Sequence, residues 1–380
     1  MTSRERMIAA MEGRPVDMVP VAPYFWGAEY AWKLMGIPIW ELIHGPRSIG
    51  LEMQEAIIRR HDCDWVLHLH HGSNRMEGKE LVKEDEDQVL LRDTTSGKEY
   101  IFHKEGHWLL EAGTPNEAKV RKKMIDVDPP SNRAEADDWI KEHFPRLDEP
   151  AGEMTPNREE PGHFPDRFNL RCMHPPFADL AYALGFEPTL VLLNDNPSLC
   201  AYMAERLMGD VARTSAQLAA DGCDGGLMVD SYASADIMSP EAYANWVAPL
   251  HKLTSDELHR AGLKSVMYNT GNMLPLLGTV KGMGYDAVSV EERIKGVEMD
   301  IAEIRKGLGL DVCIFANFDS YLLLNGDRDK IRAEVSRQLK AGLVGGSRFI
   351  MGTGSPICDG AEPEALDLWV SETRAQSRSI

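Results

Sequence analysis

Cysteine is scarce in this chain and shows no pairing pattern. Six cysteines in 380 residues, Cys63, Cys172, Cys200, Cys223, Cys313 and Cys358, include no Cys-x-x-Cys pair and no regular spacing. That excludes a disulfide framework and a zinc ribbon as organising devices, and makes reduced thiols and a cytoplasmic setting the expectation. Positive charge is also short. Against 60 Asp and Glu stand 41 Lys and Arg, a formal net charge of -19. Nucleic acid and anionic membrane surfaces both call for a basic face, so neither is an expected partner. No apolar run approaches the ~20 residues of a membrane span. The charged opening Met1-Thr-Ser-Arg-Glu-Arg-Met7 lacks the apolar stretch of a signal peptide. Glycines at Gly345-Gly346 and Gly352-Thr-Gly354 come with neither a Walker lysine nor a GxGxxG spacing, so they read as tight turns rather than a phosphate cradle.

What the chain does have is alternation. From Lys264 to Ser320, three apolar runs (Ser265 to Asn272, Asp286 to Glu292, Asp311 to Asp319) are separated by segments of helical spacing, Leu274 to Met283 and Met299 to Leu308. Continuous apolar strands alternating with helices are the sign of βαβ units and a parallel sheet. Over the whole chain, strand starting points fall at Val19, Trp65, Asn169, Leu227, Ser265, Ala287, Val312 and Arg348. Eight such units predict an α/β fold of the (β/α)8 TIM-barrel type. An opening helix is predicted with Ser3 as its cap, and longer helices over Phe177 to Leu193 and Pro197 to Ala220. Residues 75–165 break the rhythm. They hold a predicted hairpin around Ser96-Gly97 and a Pro-, Asp- and Glu-rich stretch with a short helix around Ala134 to His143. We read one barrel over 1–380, carrying there an inserted lid over its mouth and an irregular connection.

In such barrels the active site lies at the carboxyl ends of the strands. Tyr268, Asn269, Asn272, Glu291, Asn317 and Asp319 fall there, although Asn and Asp after a strand also serve as helix caps and turn formers. Asp230 and His174 end two further strands. Tyr24, Phe25, Trp26, Tyr30 and Trp32 cluster after the first strand, either lining an apolar substrate pocket or filling core beneath a lid. Alternation puts His68 and His70 on one face of the second strand. Two imidazoles there suit metal binding or proton exchange. A hydrogen-bonded structural pair carries more weight, because no Cys or carboxylate completes a local ligand pattern.

An ordered set of motifs resembles the uroporphyrinogen decarboxylase superfamily. The set is Asp221-Gly-Cys-Asp-Gly-Gly-Leu-Met-Val-Asp230, Ser239-Pro240, His259-Arg-Ala-Gly262, Tyr268 to Asn272, Gly284-Tyr-Asp-Ala287, Asn317 and Leu322-Leu-Leu-Asn-Gly326. Arg4-Glu-Arg-Met7, Pro20-Val21 and Leu184-Gly-Phe-Glu187 are similar to it as well. The resemblance implies a (β/α)8 barrel with one of two chemistries: decarboxylation of porphyrinogen acetate arms without a cofactor, or methyl transfer to or from a corrinoid held by a separate protein. The decarboxylase branch holds its polycarboxylate with arginines near the first strand. Here no arginine stands between Arg14 and Arg47, and the matching place reads Tyr24-Phe-Trp-Gly-Ala28. The thiol-methylating branch binds zinc through His-x-Cys and a later Cys. The matching positions are Tyr268, Asn269 and Thr270, then Gly354-Ser355, with Cys358 three residues late. The usual zinc motif is therefore absent. An alternative set drawn from His68, His70, His174, Asp230, Glu291 or Cys358 lacks ligand spacing, and the metal content is left unassigned.

By resemblance the closer branch is the corrinoid-dependent methyltransferases, acting on a small apolar or aromatic substrate. No Asp-x-His-x-x-Gly motif occurs in the chain, so the corrinoid is expected from a partner protein, and a homodimer is an expectation of the resemblance alone. Tyr268, Glu291, His70 and Asp230 are the expected catalytic groups, and Tyr24, Trp26, His68, His174, Asn269 and Asn317 the expected substrate contacts. The alternative is a cofactor-independent carboxy-lyase of a smaller acid, with Arg171 and Arg293 as clamps. A barrel that binds a small ligand without turnover is a third class.

Overall fold

The computed structural model describes residues 1–25, 28–46, 48–68, 75–104, 108–113, 128–148, 159–294 and 296–378. Eight parallel strands form one sheet: β1 (Val21–Ala22), β2 (Trp65–His68), β7 (Phe168–Met173), β8 (Gly225–Asp230), β9 (Lys264–Asn269), β10 (Ala287–Val290), β13 (Cys313–Phe315) and β14 (Phe349–Gly352). Their spatial order, β1-β14-β13-β10-β9-β8-β7-β2, is the chain order wrapped round a circle. This is the expected TIM barrel, with each strand starting within two residues of the position read from sequence. Residues of these strands are almost all buried, because helices cover the outer face and side chains fill the inside.

The ladder is interrupted only between β1 and β2, and Asp64 bridges that gap. Its backbone N–H donates to the Val21 carbonyl at 2.8 Å, and its Oδ2 accepts from the Val21 N–H at 2.7 Å. Its Oδ1 accepts from Arg6 Nη1 at 2.5 Å. Arg6 comes from helix α1 (Ser3–Glu12) and is also held by Asp17. The cap of α1 is Thr2, not Ser3. Thr2 forms a full capping box with Glu5, which supplies the acidic partner that Arg6 could not.

Other expectations need correction. The apolar run 177–193 is two helices, Pro176–Leu184 and Phe186–Asp195, broken at Gly185 with φ +102°. The run 197–220 is likewise divided, at Leu207. Leu274 to Met283 is a series of single turns, and its glycines and Pro275 account for the failure to propagate. The hairpin is part of a larger antiparallel sheet, β3 (Lys79–Glu84), β4 (Gln88–Asp93), β5 (Glu99–His103) and β6 (Trp108–Glu111). Val89, Leu91, Phe102 and Leu109 of this sheet pack with Trp40 in a separate small core, beside the helix Ile39–His44. The helix Arg133–His143 buries Ala136 and Ile140 in the main core, and Tyr202 donates to its Asp137 at 2.7 Å. That helix therefore packs on the main core.

Removing the carboxylate at the gap should expose its importance. Asp64→Ala leaves Arg6 buried without its deepest partner and the Val21 N–H unsatisfied, so urea unfolding is expected to show a loss of about 3–5 kcal/mol.

Candidate active site

The interior below the mouth is aromatic. Tyr24, Trp65, Tyr268 and Phe315 are all buried, with ring centroids 5.0 Å apart for Tyr24 and Trp65, 4.9 Å for Tyr24 and Tyr268 and 5.6 Å for Trp65 and Phe315. Phe25 and Tyr30 are buried too, and Tyr30 shares a 2.7 Å hydrogen bond with His61. The core reading therefore holds for the described aromatics of that cluster, while Trp32 donates to Asp359 at the surface. Trp26 and His70 lie outside the described residues.

Above this floor, the segment leaving β14 joins two acids. The Tyr268 hydroxyl donates to the Gly354 carbonyl at 3.1 Å, and Ser355 Oγ donates to both oxygens of Glu292, at 3.1 and 2.9 Å. Gly354 allows the close approach. A Cβ there would stand 2.3 Å from Glu292 Oε2 and 2.5 Å from the Glu292 backbone nitrogen. Burial drives the Glu292 carboxyl up to about 7, against the Ser355 hydrogen bond and with help from Asp319 and Glu291. Burial likewise holds the Tyr268 phenol well above its ordinary range, with Tyr24 and Glu291 adding to it. Glu291 accepts from the Gly271 N–H at 2.9 Å. Its pKa is raised chiefly by burial and secondarily by Asp236. Gly271 has φ +107°, and a Cβ there would meet Ser234 Oγ at 2.4 Å, so no other residue suits that turn.

Glu292 opens on a cavity of about 180 Å³. Glu298, Asp319 and Glu334 contribute acidic side chains to it, against Arg293 and Arg337. With Glu292 neutral the lining is close to charge balance, and with Glu292 ionised it favours a cation. Sequence reasoning quoted Glu292 but chose its neighbour. The signal available was the pair itself, because two adjacent carboxylates after a strand must differ in burial, and the better buried one becomes the acid.

The remaining candidates divide. Asn269 is buried, with Nδ2 donating to the Ala233 carbonyl at 2.9 Å and Oδ1 lacking a partner among the described residues, which suits an acceptor for substrate. Asp230 turns outward from the mouth. Its Oδ2 is 2.9 Å from His251 Nε2, whose Nδ1 is 3.2 Å from the Tyr243 hydroxyl, and Tyr243 opens a π-helical turn, Tyr243–Val247. This buried chain, which no spacing in the sequence signals, engages Asp230 with a helix rather than with the mouth. Asn317 ties together the Glu291 and Met299 carbonyls, at 3.1 and 2.6 Å. That fixes the small hairpin β11 (Arg293–Ile294) and β12 (Val297–Glu298) over the cavity. Asp319 caps the following helix, and Asn272 shapes its own turn by accepting from Leu274 N–H. His68 is buried against Asn169 Oδ1 at 2.8 Å, as a structural histidine would be. His174 sits near the surface, paired with Asp179 at 3.2 Å and stacked near Tyr182. Arg171 is no clamp, since it points out of the barrel to Asp221 at 2.6 Å. Arg293 is on the cavity rim, 3.9 Å from Glu298.

The residues do not fit the zinc site of the thiol-methylating branch. Tyr268 and Asn269 stand where its His-x-Cys begins, and the Cys358 thiol is 3.5 Å from the Ser320 hydroxyl instead. Among the described residues no three His, Cys, Asp or Glu side chains converge to hold a metal. Nor, among the described residues, is any single helix long and apolar enough to cross a membrane.

An eight-stranded parallel barrel with its polar groups gathered past the strand ends is an enzyme architecture. Residues 172–376 match the model of the uroporphyrinogen decarboxylase (URO-D) family, and the chain belongs to that family. A 123-residue stretch is 29% identical to "Methylcobamide:CoM methyltransferase MtaA" of Methanosarcina barkeri. A 126-residue stretch is 32% identical to the protein of the same name in strain Fusaro. The match spans 34% of the length of each relative. A solved structure of a "methyltransferase from Methanosarcina mazei" superposes with a TM-score of 0.64 at 18% identity, over 99% of both chains, a likeness of fold.

The raised Glu292 carboxyl has a stability signature. A carboxyl whose folded pKa lies above its unfolded value contributes most below the unfolded value, and the contribution is lost as pH rises through about 7. Glu292→Gln should therefore match the parent at pH 4 and exceed it at pH 8 by up to about 3 kcal/mol in urea unfolding.

Proposed function

We propose that this protein transfers a methyl group from a small neutral or cationic donor, an N-methyl or O-methyl compound, to the corrinoid of a separate protein. The observation that carries this reading is Glu292, a largely buried acid poised near neutrality in a cavity at the strand ends whose carboxylates outnumber its arginines. The partial similarity to methylcobamide methyltransferases supports it. A methyl leaving nitrogen or oxygen gives that atom a lone pair needing a proton, and an acid with pKa near the working pH is best matched to supply one.

When bound in its carrier, the corrinoid supplies the nucleophile that accepts the methyl. This chain's residues do the rest. Glu292, oriented by Ser355, protonates the leaving atom. Asn269 Oδ1 accepts a hydrogen bond from the substrate. Tyr268 sets the position of Gly354 and hence of Glu292, and Glu298 and Asp319 keep the cavity attractive to a cationic donor. The aromatic floor excludes water below. A polycarboxylate is a poor fit, since Arg171 is committed to Asp221 outside the barrel.

The test is a spectral titration of a reduced corrinoid protein with this enzyme and a panel of methylamines and methoxyaromatics, following the absorbance change that accompanies corrinoid methylation. A donor-dependent change is expected. Glu292→Gln should lower its rate by about 10²–10⁴-fold, and Tyr268→Phe by roughly tenfold, a loss we assign to positioning. No change with any donor, together with carbon dioxide release from a carboxylated compound, would replace this reading with the carboxy-lyase.

A further inference from the structure

At the end of the barrel opposite the mouth, the turn before β14 carries a feature that methyl transfer does not use. Gly345 and Gly346 have φ of +82° and +144°, confirming the tight turn, and with Ser347, Arg348 and Arg305 they line a cavity of about 60 Å³. Arg305, on the helix Ile301–Leu308, is only 6% exposed. Its guanidinium donates to four backbone carbonyls, of Gly309 and Val312 at 3.1 Å each, Gly342 at 2.9 Å and Arg348 at 2.6 Å. Its Nε has no acceptor, and no carboxylate pairs with it among the described residues. Arg348 beside it has only the Met11 carbonyl as a described hydrogen-bond partner. Burial lowers the Arg305 pKa, and the nearby positive charge of Arg348 lowers it further.

Two neighbouring guanidiniums, one of them buried, without a counter-charge are costly. They are the more unexpected in a chain whose acids exceed its bases, 60 to 41. Carbonyl dipoles solvate Arg305 in part but do not neutralise it. A tetrahedral oxyanion held by the Arg348 guanidinium would neutralise the pair, with Arg305 supplying charge rather than hydrogen bonds because its Nη donors are already held by carbonyls. The Gly346 N–H is already taken by the Leu343 carbonyl, so recognition falls to Arg348. We propose that this cavity binds a small oxyanion of the phosphate type. It differs from the phosphate site common in such barrels, which lies at the strand carboxyl ends. Leu310 and Val344, 52% and 59% exposed, flank the opening, so the same chemistry serves free phosphate or the phosphate end of an ester with a short apolar tail.

The experiment titrates inorganic phosphate into the full chain at constant ionic strength, against chloride, with calorimetry and thermal unfolding as readouts. One saturable site is expected, with the unfolding temperature rising as it fills and sulfate competing. Arg348→Gln should weaken uptake by at least ~10-fold, as should Arg305→Met, which removes the buried charge. Should the Arg305 variant fail to fold, the Arg348 variant decides. Hexyl phosphate binding more tightly than phosphate would identify an ester as the ligand, and equal binding the free ion. No stabilisation beyond chloride, or uptake unchanged by Arg348→Gln, would overturn the site and leave Arg305 as a staple for four carbonyls. Neither readout depends on the catalysed reaction.

Discussion

A barrel is a sheet that must meet itself, and here the meeting depends on one carboxylate. Strands β1 and β2 share no ladder, so nothing in the sheet's own hydrogen bonding holds the first strand against the second. Asp64 supplies the missing bonds through its backbone and side chain, while Arg6 neutralises the charge so placed. With both partners buried, the arrangement is stable only when complete. The position of Tyr24 and Phe25, and so the aromatic floor of the mouth, follows from that bridge. β1 is only two residues long, and on that side Trp65 of β2 adds one further hydrogen bond, to the Pro23 carbonyl at 3.0 Å.

The mouth separates two tasks by burial. Polar groups anchored to backbone carbonyls, such as Asn317, or to buried side chains, such as Asp230, hold the loops in place. Glu292 and Asn269 retain unused capacity, one as a proton held near neutral pH and the other as an unpaired oxygen. Chemistry is assigned to the groups with capacity left over. The stability expected from removing the Glu292 charge is the usual accompaniment, since a carboxyl kept in a poor dielectric for function is a cost to the fold.

The barrel was legible because strands buried on both faces leave an unbroken apolar signature and because the polar break recurs at each strand end. Asn272, Asn317 and Asp319 illustrate what position alone does not reveal. All three stand where catalytic groups stand, and all three are engaged with backbone, locally for Asn272 and Asp319 and across 18 and 26 residues for Asn317, which requires coordinates to see. Asp230 shows the same limit, because its partner His251 is a helix away and no sequence interval links them. Glu292 was hidden by its neighbour, and the burial that raises its pKa is a tertiary property that no sequence interval shows. Helix breaks at Gly185 and Leu207 were invisible to apolar spacing, which continues through both.

The pairing of the first strand with the last sets an order of assembly. Among the described residues β1 forms its only ladder with β14, the Val19 N–H donates to Ser377, and Arg374 of the closing helix holds Asp62. As the chain emerges from the ribosome, β2 through β13 can add to one another in sequence, while the first strand has no sheet partner until Phe349 and its neighbours appear. For most of synthesis the nascent protein is an open sheet with β2 at an unpaired edge. It is then that a chaperone would have the most apolar surface to cover.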